Sequence, residues 1–109
     1  MDRMQDRALE ACMKYLESNG YQDVSVYRGR IVARDDDALV FATVAIVDSF
    51  TDGLLESRSK REDMAFDYIC RHSDAAGAML RFDDMQLRVA NGGLAMVRHH
   101  KNCLASFEG

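Results

Sequence analysis

No proline interrupts this sequence, where an average chain of its size holds about five. A Pro-rich linker is thereby excluded, and continuous regular structure is favoured. No apolar run reaches the ~18 to 20 residues of a membrane span. The opening stretch "MDRMQDRALEAC" is charged where a secretory signal needs an apolar segment, so the expectation is a cytoplasmic protein with no membrane partner. There is no CxxC motif. Cys12, Cys70 and Cys103 are odd in number, far apart and set among apolar residues, which reads as reduced core thiols and not as a disulfide framework. A zinc site drawn from Cys70, His72, His99, His100 and Cys103 lacks regular finger spacing, so no metal is expected there. Positive charge is also in deficit: 14 Lys and Arg face 18 Asp and Glu, for a net charge of -4. No global field draws the protein to nucleic acid or anionic lipid, and any such binding must be local.

What is present suits one compact domain over residues 1–109: 48% of the residues are hydrophobic, enough for a core, and the length is too short for two domains. Met4, Ala8, Ala11, Cys12, Tyr15 and Leu16 recur at helical spacing, with Asp2 placed to cap the start and Gly20 to end the helix. "DVSVY" and "RIVAR" read as short strands, with Val24 and Val26 on one face of the first. "DDD" at 35–37 is turn chemistry. "ALVFATVAIV" at 38–47 is apolar in both phases of a period of two, the mark of a central strand covered on each side. Helical spacing resumes in "LLESRSKREDMAFDYICRHS", with Glu56 and Lys60 one turn apart. Beyond the small-residue loop "DAAGA", Leu80 and Phe82 lie in one phase and Met85, Leu87 and Val89 in the other, which predicts a bulge near Asp83 and Asp84. "ANGG" turns the chain and "LAMVRHH" pairs back, with His99 and His100 on opposite strand faces. Met64, Met79, Met85 and Met96 fit core packing. The expected class is α/β, a mixed sheet flanked by helices in the order αβββαββ.

Four stretches resemble the YraN-like family, small proteins of the restriction-endonuclease-like fold related to archaeal Holliday-junction resolvases. They are "ALEACMKYLESNGY", "VARDDDALVFATV", "MAFDYI", and "LRFDDMQL" followed by "VRHHKNCLASF". They fall in the family's order and cover nearly the whole chain. The resemblance implies a restriction-endonuclease-like domain and a metal-dependent nuclease ancestry. The family's site is written G-E-I-D-L-I-A in one strand and E-V-K in the next, because positions i and i+2 share a strand face and two strands can converge acids and a lysine on a divalent cation. Counted back from "ALVF", the first-strand acids fall at Arg28 and Arg30, and the second-strand Glu and Lys at Thr43 and Ala45. All four are replaced, and a register shift of one residue supplies no ligand from Gly29, Ile31, Ala42 or Val44.

The expected function is therefore that of a catalytically inactive, nuclease-like domain serving as a nucleic-acid-binding or interaction module, with no cofactor. Arg28, Arg30 and Arg34, at even spacing on one strand face, and Lys60 are the candidate phosphate contacts. Against this stands the plainer reading, in which those arginines pair with Asp35–Asp37 or with helix carboxylates. A rival class is a Mg2+-dependent endonuclease or resolvase that uses relocated acids, drawn from Glu10, Asp48 and Asp35–Asp37. A third is a structural interaction domain, a homodimer through an edge strand or a partner for another protein.

Overall fold

The computed structural model describes residues 3–75, 77–90 and 95–104. The first helix, α1, runs Arg3–Ser18 and buries Ala8, Leu9, Cys12 and Leu16, which recur on one face at helical spacing. Gly20, with φ 87°, ends it. Its N–H bonds the Glu17 carbonyl, and the Tyr21 N–H bonds back to Leu16, a C-terminal closure that needs a left-handed residue and so suits glycine. The cap expected from Asp2 lies outside the described residues.

Three antiparallel strands follow: β1 (Gln22–Tyr27), β2 (Arg30–Asp35) and β3 (Ala38–Ile46). β1 and β2 are joined by Arg28 and Gly29, both at positive φ (50° and 79°), the sense of backbone twist that a two-residue hairpin turn requires. The register of β1 shifts between Gln22 and Ser25, beside Asp23 at φ 52°. Val26 is consequently exposed while Val24 packs against the core, so the even alternation expected for β1 is broken.

After residues 47–57 the second helix, α2, spans Arg58–Arg71, and a short 3-10 turn, Ser73–Ala75, leads into β4 (Met79–Val89) and β5 (Ala95–His100). α2 starts later than its periodicity suggested. Ser57 caps it, the hydroxyl accepting from the Lys60 N–H, and Leu54, Leu55 and Glu56 belong to the loop before it. Glu56 and Lys60 are therefore not a helical pair.

The strands lie in the order β1-β2-β3-β4-β5, with β3 and β4 parallel and the other neighbours antiparallel. β3 is central, as its apolar character in both phases implied. Ile31, Ala33, Val40, Ala42, Val44, Met85 and Leu87 face α1. Val32, Leu39, Phe41 and Phe82 face α2, where Met64, Ala65, Cys103 and Leu104 complete a second core layer and the Phe41 and Phe82 rings stack at 5.7 Å. Replacing Leu16 or Phe41 by alanine in such layers costs roughly 2 to 5 kcal/mol.

Three expectations need correction. β4 carries no bulge: its register with β3 is unbroken from Met79 to Leu87, because Asp83 and Asp84 are both buried, one on each face. The apparent change of phase is a polar substitution in each apolar row. Cys70 is exposed on α2, unlike Cys12 and Cys103. Met79 and Met96 are exposed, whereas Met64 and Met85 are core. Among the described residues, no helix is long and apolar enough to cross a membrane.

Candidate functional site

On the face toward α2, Arg30 and Thr43 meet residues from distant parts of the chain. Thr43 lies directly across from Asp84, and Asp84 across from His100. Arg30, at the start of β2, shares that face and grips the Glu56 carboxylate with two nitrogens, its Nε donating to Oε1 at 2.8 Å and its Nη2 to Oε2. Arg61, from α2, is wholly buried. Its Nη2 lies 2.6 Å from Asp84 Oδ1, an ionic contact off the ideal hydrogen-bonding direction. Its Nε donates to the Glu56 carbonyl at 3.0 Å and its Nη1 to Cys103 Sγ at 3.2 Å. Burial pushes the Cys103 thiol up to about 11, so this sulfur is a protonated packing partner and not a nucleophile.

The connecting loop is stitched over the same end of the sheet. Asp84 Oδ2 accepts from the Leu55 N–H at 3.3 Å. The Gln86 amide accepts from the Thr51 N–H at 2.8 Å and donates to its carbonyl at 2.7 Å. Arg98 holds Asp52 at 2.7 Å. The carboxylates of this region, Glu56 and Asp84, are thus each matched by a guanidinium, which leaves no excess negative charge to attract a divalent ion and places two cations at close range to any that entered. These residues do not fit a Mg2+ site.

Behind the sheet, Asp83 is equally buried and more richly bonded. Arg81 Nε and Nη2 reach its two oxygens at 3.0 Å each. His99 Nε2 lies at 2.8 Å, the Asn102 N–H at 2.8 Å and the Tyr21 hydroxyl at 3.2 Å. Burial pushes this carboxyl up, but the donors from His99, Arg81 and the Asn102 N–H outweigh it and hold the group down at about 2. Tyr21 is pushed up, first by burial and then by the charge of Asp83. Arg81 also donates to Asp35 at 2.7 Å, which ties the β2–β3 turn to the cluster.

The expected phosphate contacts are dispersed. Arg28 is not on a strand: it occupies the β1–β2 turn, so the three arginines form no single stripe. Its Nε lies 3.3 Å from Asp67 Oδ2, and its guanidinium sits 5.5 Å from the Tyr27 ring centroid. Arg30 is consumed by Glu56. Arg34 lines a small cleft of about 190 Å3 with Asp23, Leu39, Tyr68 and Asp74. Lys60 is exposed in the first turn of α2. Ala45 shares the Thr43 face, half-buried.

The acids considered as relocated ligands do not converge. Glu10 pairs with Lys14 on the exposed side of α1, Asp48 is exposed in the loop, and Asp35 faces the opposite layer. Among the described residues, no three side chains of the metal-ligating types come together. The sequence reading overlooked Glu56, Arg61, Arg81, Asp83 and Asp84 as a set. Its available signal was "RFDDMQL": two adjacent acids inside an apolar strand are buried on opposite faces, and each then requires a cation. The sequence matches no protein-family model, and a search of curated proteins finds no match.

Proposed function

We propose that this chain is a restriction-endonuclease-like domain that no longer cleaves and that serves as a nucleic-acid-binding module. The observation that carries this reading is the pair of ion pairs Arg30–Glu56 and Arg61–Asp84, which neutralise the acids at the end of the sheet where the resembled family assembles its metal. The order αβββαββ, with a parallel β3–β4 pair in the middle of the sheet, supports the assignment of the fold. Binding then rests on local cations that are still accessible, Arg28 and Lys60 foremost, and not on the net charge.

The test pairs cleavage with binding. Linear, flapped and four-way-junction DNA should remain intact with Mg2+ or Mn2+. Binding should be modest, insensitive to sequence and salt-dependent, with a logarithmic slope of about 2 to 3 in magnitude, because few phosphates are met. Cleavage that disappears in Asp48→Asn or Glu10→Gln would establish the rival of a relocated metal site. A second reading, a protein-interaction or homodimeric module, draws on Phe66 and Met79, large apolar side chains exposed by 71% and 68%. Concentration-dependent association lost on Phe66→Ser would favour it.

A further inference from the structure

Asp67, on α2, stands at the centre of an uneven set of charges. It accepts a hydrogen bond from the Tyr27 hydroxyl, and the Nε atoms of Arg28 and Arg71 lie 3.3 and 3.4 Å from its two oxygens. One carboxylate therefore serves two guanidiniums, unlike the surface pair Glu10–Lys14. Both arginine side chains remain more than half exposed, 56% for Arg28 and 60% for Arg71. The Tyr27 hydroxyl holds the Asp67 carboxyl below its ordinary range, with Arg28 and Arg71 adding to the effect.

An aromatic surface adjoins this group. The Tyr68 and His72 rings stack at 4.0 Å, and Tyr27 meets Tyr68 edge-on at 5.0 Å. All three are half-buried, so none is closed off from solvent. Two arginines beside aromatic rings form the elementary unit that holds a phosphodiester and stacks its base, and ring faces are available only to bases that are unpaired.

We propose that Asp67 is an internal anion occupying the seat where this surface takes a phosphate of single-stranded nucleic acid. The inference rests on the nucleic-acid-binding reading above. A phosphodiester carries the same unit charge as Asp67 and the same capacity to accept from Arg28, Arg71 and Tyr27, so the two compete for one set of donors. Asp67 then limits affinity in the wild type. Removing its charge while keeping an acceptor for Tyr27 releases both guanidiniums to the ligand.

The experiment is a fluorescence-anisotropy titration of a labelled single-stranded oligonucleotide and its duplex with wild type, Asp67→Asn and Asp67→Ser, at two salt concentrations, with thermal melts to confirm folding. Asp67→Asn should bind the single strand roughly threefold to tenfold tighter at low salt, with the salt slope steeper by up to about 0.7. The gain should be smaller on duplex and vanish when Arg28→Ala and Arg71→Ala are added. Asp67→Ser should show the same gain, and it decides the matter if the asparagine variant does not fold. If wild type binds and neither variant gains, the internal-anion idea is overturned while the nucleic-acid reading stands. Absence of binding by all three proteins at low salt overturns both. A gain as large on duplex overturns the single-strand assignment.

Discussion

Asp83 and Asp84 are neighbours in the chain and face opposite layers of the same sheet, and the protein neutralises them in different ways. Asp83 is met mostly by groups close to it in the fold's C-terminal half: Arg81 two residues away, His99 and Asn102, with Tyr21 arriving from the end of α1. Asp84 depends chiefly on one buried guanidinium, Arg61, and on a backbone N–H of the covering loop. The first arrangement spreads the burden over several donors, so the loss of one leaves the others in place. In the second, a single side chain neutralises the acid, anchors the start of α2 through the Glu56 carbonyl and touches Cys103. The layer that faces α2 is therefore the one more exposed to a single substitution.

The strongest way to break this comparison is Arg61→Leu. It leaves Asp84 buried without a counter-ion and should cost about 3 to 5 kcal/mol in denaturant unfolding. Adding Asp84→Leu should restore much of the loss, since a well-packed apolar pair avoids the desolvation of both charges. A double variant no more stable than the single one would show that Arg61 acts mainly through Glu56 and Cys103.

A smaller effect is expected from acid. The folded Asp83 carboxyl is held at about 2 against an ordinary 3.8. A depressed folded value means stability that is present above the unfolded value and lost as pH falls through the folded one. Between about pH 4 and pH 2 the wild type should therefore lose about 2 kcal/mol that Asp83→Asn does not lose. Unfolding curves at pH 6, 4 and 2.5 for both proteins measure it, and parallel curves would assign the acid sensitivity elsewhere.

The smallest effect belongs to Glu56→Gln. The Arg30–Glu56 pair is about one-fifth exposed on each side, so solvent screens it and the loss should be about 1 kcal/mol. Asp84 should be unaffected, because Arg61 binds the Glu56 backbone carbonyl and not its carboxylate. A loss as large as that of Arg61→Leu would mean that the two pairs act as one network.

Much of the frame was legible before any tertiary contact was known. The periodicity of α1 and its Gly20 stop, the two apolar phases of β3 and the opposed faces of His99 and His100 are properties of local geometry, because helix and strand periods set which side chains share a face. The β2–β3 turn was legible too, since Asp36-Asp37 lies between strand patterns, whereas the Arg28-Gly29 turn was hidden inside what reads as one continuous strand. Less legible were the details that depend on register: β1 departs from alternation at Asp23, and α2 begins at Ser57's cap and not at the first apolar residue of its pattern.

What only the tertiary structure decided is the fate of the charges. Local pattern placed Arg30 on a strand face, but its partner Glu56 lies 26 residues away in the loop before α2. Arg61 stands beside Lys60 in the charged run that opens α2 and is nonetheless wholly buried, because Asp84 rises from the sheet beneath it. Arg28 seemed to belong to a stripe and turned out to be a turn residue held by Asp67. A long side chain on a known face can reach partners over several ångströms, so secondary structure constrains its direction without choosing its counter-ion. Spacing in the sequence determined where the cations stand, and the packing of α2 and its loop against the sheet determined which of them meet an acid and which remain open to solvent.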